Sequence, residues 1–451
     1  MSTDDERIVP VRPPARDLPD HRDRVRGCLL GGALGDALGA PVEFESIKRI
    51  RRQYGPRGLT GLVPDWRGKV GLITDDTQMT LFTVEGLIRG GDVAAVRRAY
   101  LRWLDTQHHR SPPPTSPGSP ASPASPASPA HDRSAARPAR ASSPAANDRP
   151  ANDRAPDDRP AHSRPASGPD PASSRNDLVR TGLLREQEWL YSQRAPGNAC
   201  LSGLRGSRAF APAPFGEPGP VNPDSKGCGT VMRSAPFGLG ARSPRHAFDL
   251  AAECAQITHG HPTGYLAAGA FAAIVHFLAE NDLPTEHEPA EANGPSKPDE
   301  PAETLARAVR KATDLLATYP SHEETGLALR DAVSLAAEGG PSPEKVESLG
   351  GAWVAEEALA IAVYCALTYP APGDVGRALL LSVNHSGDSD STGALCGNLL
   401  GTLHGEAALP AAWLAHLEGR ETIAELADDL AAWSAGKHEI TDAWLRKYPG
   451  A

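Results

Sequence analysis

The sequence predicts an all-α protein, a compact multi-helix single domain carrying one long insert. Three observations predict it. Apolar residues recur at helical spacing in segment after segment, and alternating β-branched runs are almost absent. The stretches that break the pattern hold too little apolar surface to offset their ordering entropy.

Taken in order, residues 1–22 are a polar tail, expected to be disordered. Asp23 to Gly39 is the first helix and contains the run Gly31-Gly32-Ala33-Leu34-Gly35-Asp36-Ala37-Leu38-Gly39. So many glycines cost helix propensity, which implies a close helix contact or a close backbone approach to a ligand. Thr74 to Arg89 is a helix that opens on an acidic cluster and turns Met79, Phe82 and Leu87 inward. Asp92 to Asp105 puts Val93, Val96, Tyr100, Trp103 and Leu104 on one face.

From Ser111 to Arg175 there is no Val, Ile, Leu, Met, aromatic residue or Cys, and Ser-Pro-Ala repeats run through 119–130. This insert, 111–175, is expected to be disordered. Helices are expected at Gly264–Ala279, Glu303–Ala317, Ala355–Thr368, Asp374–Val383 and Thr422–Ala435. Between the first two of these, 281–303 is acidic and Pro-rich and reads as an exposed loop within the domain. The ordered domain is therefore discontinuous, 23–110 joined to 176–448, with about 330–340 residues left to build one large core.

A net charge of −10 argues against a general nucleic-acid binder. Six scattered cysteines without a CxxC pair fit reduced thiols in a cytoplasmic protein rather than a disulfide framework or zinc site. The apolar run Tyr265 to Leu278 is short and interrupted by His276, so no membrane partner is expected. A monomer is expected.

Two acidic clusters carry the chemistry: Thr74-Asp75-Asp76 and Asp388-Ser389-Asp390-Ser391. Each has a bland reading as a helix start, with Thr74 or Asp388 as N-cap and carboxylates complementing the dipole. Asp388-x-Asp390-x-Thr392-Gly393 copies half of a calcium loop, but its twelfth position is Leu399 where a bidentate Glu is needed. His385-Ser386-Gly387-Asp388-Ser389 could belong to a serine hydrolase only on a strand-turn-helix elbow, and the segment before it reads as helix. His385 and His259, taken singly, read as satisfied buried histidines. If the two clusters face each other, they offer four carboxylates and two hydroxyls. That all-oxygen set suits two hard divalent cations, Mg or Mn rather than Zn.

The order of motifs goes further. It runs from Asp36 and Glu43 through Ile73-Thr-Asp-Asp-Thr-Gln78, Gly227-Cys-Gly-Thr-Val-Met-Arg-Ser-Ala-Pro236 and Thr258-His259 to Gly387-Asp-Ser-Asp-Ser-Thr-Gly393. This series resembles the ADP-ribosylglycohydrolase family, a bacterial member of which removes ADP-ribose from an arginine of dinitrogenase reductase. The resemblance covers roughly 24–105 and 178–435. It implies an all-helical enzyme with two Mg or Mn ions held by Thr74, Asp75, Asp76, Asp388, Asp390 and Ser391, the last standing where the family commonly has Thr. It implies a role for Glu43 in substrate entry and positioning. In a metal-assisted hydrolysis the expected catalytic groups are Asp75, Asp76 or Asp388, one of which accepts a proton from the attacking water. Gly227, Cys228, Gly229, Thr230, Met232 and Arg233 match the segment that cradles ADP-ribose, with Lys226 and Cys228 where members often carry Asn-Gly. His259 matches a position near the nucleotide. The expected activity is metal-dependent hydrolysis of the glycosidic bond between ADP-ribose and a modified side chain of a protein, or a small-molecule conjugate, with arginine the first linkage. The alternatives are a serine-linked, nucleic-acid-linked or small-molecule substrate, or a non-catalytic ADP-ribose-binding relative.

Overall fold

A computed structural model describes residues 19–65, 67–112, 182–206, 210–280 and 301–450. The tail to residue 18, most of the insert at 111–175 and residues 281–300 of the acidic loop lie outside the described residues.

Among the described residues there is no strand, only an isolated antiparallel bridge between Gly227 and Val354. The front of the chain forms α1 (His21–Gly39), α2 (Ile47–Tyr54), α3 (Asp75–Arg89) and α4 (Val93–His108). The middle forms α5 (Asn198–Gly206), α6 (Ala235–Gly240), α7 (Pro244–Ala255), α8 (Pro262–Glu280), α9 (Pro301–Leu316) and α10 (Glu323–Ala337). The remainder forms α11 (Pro343–Glu347), α12 (Ala355–Thr368), α13 (Val375–Val383), α14 (Ser389–His404), α15 (Ala411–Leu414), α16 (Arg420–Ser434) and α17 (Asp442–Lys447).

Two boundaries differ from expectation. The first helix starts at His21 because the Asp20 side chain accepts the Asp23 amide at 2.8 Å and caps it, so the polar tail ends sooner than residue 22. The helix after the acidic loop starts at Pro301, since proline suits a first turn that has no use for its missing N–H. The last three residues assigned to that loop are therefore helical.

Helix α8 is long and apolar enough to cross a membrane by length and composition, yet 89% of that stretch is buried inside the protein. Leu266, Phe271 and Ile274 on it are fully enclosed, and His276 bonds the Gly238 carbonyl at 3.0 Å. It is the central core helix, with α7 packed on one side and α9 on another.

The pairing that positions the site is α1 against α14. Gly27, Gly31, Gly35 and Gly39 on α1 face Gly401, Gly397, Gly393 and Ser389 on α14, so the helices run antiparallel with a shared four-residue spacing. A Cβ built at Gly35 would lie 1.9 Å from the Gly393 carbonyl oxygen, and one at Gly397 2.0 Å from that of Gly31. Asn398 extends the seam by donating to the Cys28 carbonyl at 2.8 Å. The glycines thus serve a backbone-to-backbone helix contact. It brings the C-terminal end of α1 to the N-terminal end of α14.

Candidate active site

Three helix ends deliver the acidic groups. On α1 the fully buried Asp36 carboxylate accepts the Thr74 amide at 3.0 Å, the Thr77 amide at 3.1 Å and the Thr77 hydroxyl. It fixes the first turn of α3 from outside. Thr74 caps that turn, its hydroxyl accepting the Asp76 amide at 3.3 Å. Asp75 and Asp76 therefore sit where the helix dipole favours negative charge. The preceding backbone is pinned by Arg194, whose guanidinium donates to the Ile73 carbonyl at 2.8 Å and pairs with Glu418.

At α14, Gly387 takes φ +145°, and a Cβ there would meet the Gly351 carbonyl oxygen at 2.2 Å. Only glycine fits. The Asp388 amide can then donate to Gly351 at 3.0 Å, while its carboxylate caps α14 by accepting the Ser391 amide at 3.3 Å. Because α13 is helical up to Val383 and Ser389 opens α14, there is neither a nucleophile elbow nor a calcium loop here. His385 is buried, with Nε2 on the Thr392 hydroxyl at 3.0 Å.

The two clusters meet. Ser391 Oγ donates to Asp76 Oδ2 at 2.8 Å. Carboxylate oxygens of Glu43, Asp388 and Asp390 all come within 4.8 Å of one another. With Asp75, Asp76 and Ser391 they line a cavity of about 430 Å³. Among the described residues, no Lys or Arg lines it. Burial, followed by the charge of Asp390, pushes the carboxyls of Asp75 and Asp76 well above the usual carboxylate range. The same two causes push Asp388 well up, Asp36 to about 7 and Glu43 to about 10. A site of this kind asks for positive charge that the protein does not itself supply.

The expected nucleotide-side residues divide. Gly227, Cys228, Gly229, Met232 and His259 line the cavity. Cys228 donates its thiol to Asp388 Oδ2 at 2.7 Å, and burial with the neighbouring Asp388 charge holds that thiol protonated by pushing it well up. His259 packs beneath the glycine loop: Cβ atoms added at Gly227 or Gly229 would each come within 3.1 Å of its ring. Burial, with Arg233 nearby, pushes His259 down to about 3, so it is a neutral imidazole bonded to the Thr258 hydroxyl at 2.8 Å.

Thr230 and Arg233 do not reach the cavity. Thr230 is fully buried and donates to the Gly264 carbonyl at 2.8 Å. Arg233 lies under the loop, stacked 4.5 Å from the Tyr100 ring and bonded to Thr258 Oγ1 at 2.7 Å. Both brace the loop from behind, so of the expected substrate contacts these two do not line the cavity. Thr74 also faces away from this cavity, its hydroxyl engaged as the α3 cap.

A family model described as ADP-ribosylglycohydrolase matches residues 17–439. This chain belongs to the ADP-ribosylglycohydrolase family. It is 44% identical over 93 residues to the ADP-ribosyl-[dinitrogen reductase] glycohydrolase of Rhodospirillum rubrum, covering 20% of this chain and 31% of that protein. It is 29% identical over 217 residues to human ADP-ribosylhydrolase ARH3, covering 46% of this chain and 58% of the human one. The matches thus span less than two thirds of either relative. A solved structure titled ADP-ribosylglycohydrolase-related protein complex superposes with TM-score 0.49 at 21% identity, covering 92% of this chain and 99% of that one.

Sequence reasoning passed over three members of this site in the ADP-ribosylglycohydrolase-family fold. Phe44, at φ +68° and 68% exposed, stacks on Trp353 at 5.2 Å across the cavity mouth. Neither aromatic carries a signal beyond Phe44 following Glu43. The 195–199 segment forms another wall, and Gly197 donates its amide to Asp75 at 3.4 Å. Nothing in its composition marks it.

Proposed function

We propose that this protein is a metal-dependent hydrolase that releases ADP-ribose from a modified protein side chain, with arginine the first linkage to test. One observation carries the reading: carboxylates from both ends of the chain converge on a single cavity that no Lys or Arg among the described residues lines. Family membership supplies the substrate class, and the match to the dinitrogen reductase glycohydrolase favours a protein conjugate.

The donor set fits two hard cations, Mg or Mn. Asp75, Asp76, Asp388 and Asp390 would hold them, with the Ser391 hydroxyl and, after it turns from its cap, that of Thr74. When bound, the cations supply charge neutralisation and Lewis acidity toward oxygen. The residues do the rest. Asp76 and Asp388 already accept hydrogen bonds from Ser391 and Cys228, which leaves Asp75 the least engaged carboxylate. In this reading Asp75 accepts the proton of the water that attacks the anomeric carbon. Glu43, half-buried at the edge of the cluster, positions the conjugate. The Gly227–Gly229 backbone, held from below by neutral His259, lies along the ADP-ribose.

The test is release of free ADP-ribose from arginine-linked and serine-linked peptides, with Mg, with Mn and with chelator. The reading expects release that requires a divalent cation and is faster for the arginine linkage. Release in chelator would refute the metal assignment, and no release from any conjugate would refute the hydrolase assignment.

A further inference from the structure

The segment that follows Glu43 and Phe44 carries a charge opposite to that of the whole protein. Between Lys48 and Lys69 there are seven Lys or Arg and a single acid, Asp65, in a chain of net charge −10. Helix α2 holds four of the seven. Ile47 and Ile50 are buried beneath it, while Lys48 and Arg52, one turn apart, are exposed. Arg49 pairs with Glu45 at 2.8 Å and Arg51 with Glu344 at 2.7 Å. Lys48, Arg52 and the exposed Arg57 have no acidic partner among the described residues.

This helix is fixed beside the site. The Ile47 amide donates to Ser386 Oγ at 2.8 Å, and Leu59, just past Arg57, donates its amide to Asn384 Oδ1 at 2.7 Å. Residues 384–386 lead directly into Gly387 and Asp388 of the second acidic cluster. At the near end of α2 stand Phe44 and Trp353, stacked at the entrance of the carboxylate-lined cavity with 68% and 45% of their surfaces exposed. They are two of only five large apolar side chains left exposed among the described residues. Exposed aromatics next to unpaired arginines have the composition that contact surfaces favour.

We propose that Phe44, Trp353 and the outer face of α2 form the docking surface for the polypeptide that bears the ADP-ribose, and that this surface selects acidic residues flanking the modified one. The aromatic pair packs against the chain where it enters the cavity, and Lys48, Arg52 and Arg57 meet the carboxylates of its flank. The helix is about 12 Å long, so an extended chain covers it in about four residues. Three cations on a protein of this net charge fit a short acidic peptide rather than a nucleic acid, whose binding takes a larger basic footprint. An anionic protein otherwise repels an acidic peptide, so a preference for one must come from a local patch. This inference rests on the hydrolase reading above and adds which polypeptides the site accepts.

Steady-state kinetics on the full chain with Mg or Mn, at low salt, compare three arginine-linked ADP-ribosyl peptides whose flanks are glutamate, glycine or lysine. The wild type should show its lowest KM with glutamate flanks, about threefold to tenfold below that with lysine flanks, and the gap should close at high salt. The triple reversal Lys48→Glu, Arg52→Glu and Arg57→Glu should invert that order. Its kcat on the glycine-flanked peptide and its Kd for free ADP-ribose, by calorimetry, should stay within about twofold of the wild type. Trp353→Ala should raise KM for all three peptides alike, by about threefold or more. Equal KM values in the wild type, an order that the reversal leaves unchanged, or a Trp353→Ala variant with unchanged KM would overturn the proposal while the hydrolase reading stands. So would a single-stranded DNA oligonucleotide that inhibits more strongly than polyglutamate of the same charge, because it would assign the surface to nucleic acid. A wild-type protein that cleaves no conjugate would remove both. Thermal melts check that the reversed variant folds, and Arg52→Glu alone decides if it does not.

Discussion

Ser391 donates a 2.8 Å hydrogen bond to Asp76, 315 residues earlier in the chain, and this contact ties the front and back acidic clusters into one site. Its hydroxyl orients a carboxylate that would hold a cation, and such supports are worth about 10–100-fold in metal affinity. Ser391→Ala should therefore weaken Mn binding, measured by calorimetry, by about tenfold or more, whereas Ser391→Thr should retain it. Asp390→Ala goes further and should abolish cation-dependent release of ADP-ribose while leaving the helical circular-dichroism signal intact. Full activity in the latter would refute the metal assignment.

The glycine seam between α1 and α14 predicts a large stability loss from a small substitution. Gly35→Ala would raise helix propensity in isolation, by roughly 1 kcal/mol. In the fold its methyl would sit 1.9 Å from the Gly393 carbonyl oxygen, so two helix backbones must part. Overpacking of this kind costs about 1–3 kcal/mol, and rigid backbone on both sides puts it at the upper end. Urea unfolding should show a lower midpoint. An increase would mean that the helices are not in backbone contact.

Much of this was legible in the sequence, and the reasons differ by feature. Helical periodicity gave α4, which buries one face through Val96, Tyr100 and Trp103, whereas α12 was read from its Ala/Leu-rich composition and α3, buried on every side, from its acidic start. Asp75, Asp76, Asp388 and Asp390 were legible because two carboxylates amid small apolar residues demand compensation. The glycines of α1 signalled a close approach, but the partner spacing on α14, at 393, 397 and 401, was visible only once the helices were paired. Arg233 was grouped with the Gly227–Gly229 loop because it belongs to the same motif, and the motif does not say which of its side chains face the cavity. Its burial over Tyr100 depends on α4, which lies far away in sequence. Phe44 and Trp353 come from two loops whose meeting no local pattern encodes.

Gly387→Ala tests whether one backbone angle aims the second cluster. The position requires φ +145° and leaves no room for a Cβ, so alanine must twist the turn that precedes α14. Strain of this kind costs about 1–3 kcal/mol, a modest fraction of a large domain's stability. It falls on Asp388, whose amide is fixed by Gly351 through that turn. Cation affinity should drop more than stability does: about tenfold or more by calorimetry, against a shift of a few degrees in the melt. Equal affinity with a normal melt would show that the turn does not position Asp388.

The carboxylate cluster also fixes how stability depends on pH once cations are stripped away. Burial and the Asp390 charge raise Asp36 to about 7 and Glu43 to about 10, and push Asp75, Asp76 and Asp388 well up. In the unfolded chain these groups titrate near roughly 4. Between those limits the folded protein binds more protons than the unfolded one, so their contribution is fully present below about pH 4 and is lost as pH rises through 7. His259, pushed down to about 3, acts in the opposite sense, as do His21, His246 and His385, which burial also lowers, but their effect is complete by roughly pH 6.5, where an unfolded histidine has lost its proton. In chelator the melting temperature should therefore fall between about pH 5.5 and pH 8.5, by on the order of 5 °C. Adding Mg or Mn should restore it, and restore more at the higher pH, because cations and protons compete for the same oxygens. A metal-free protein that grows more stable across that interval would show that these carboxylates do not share a buried site.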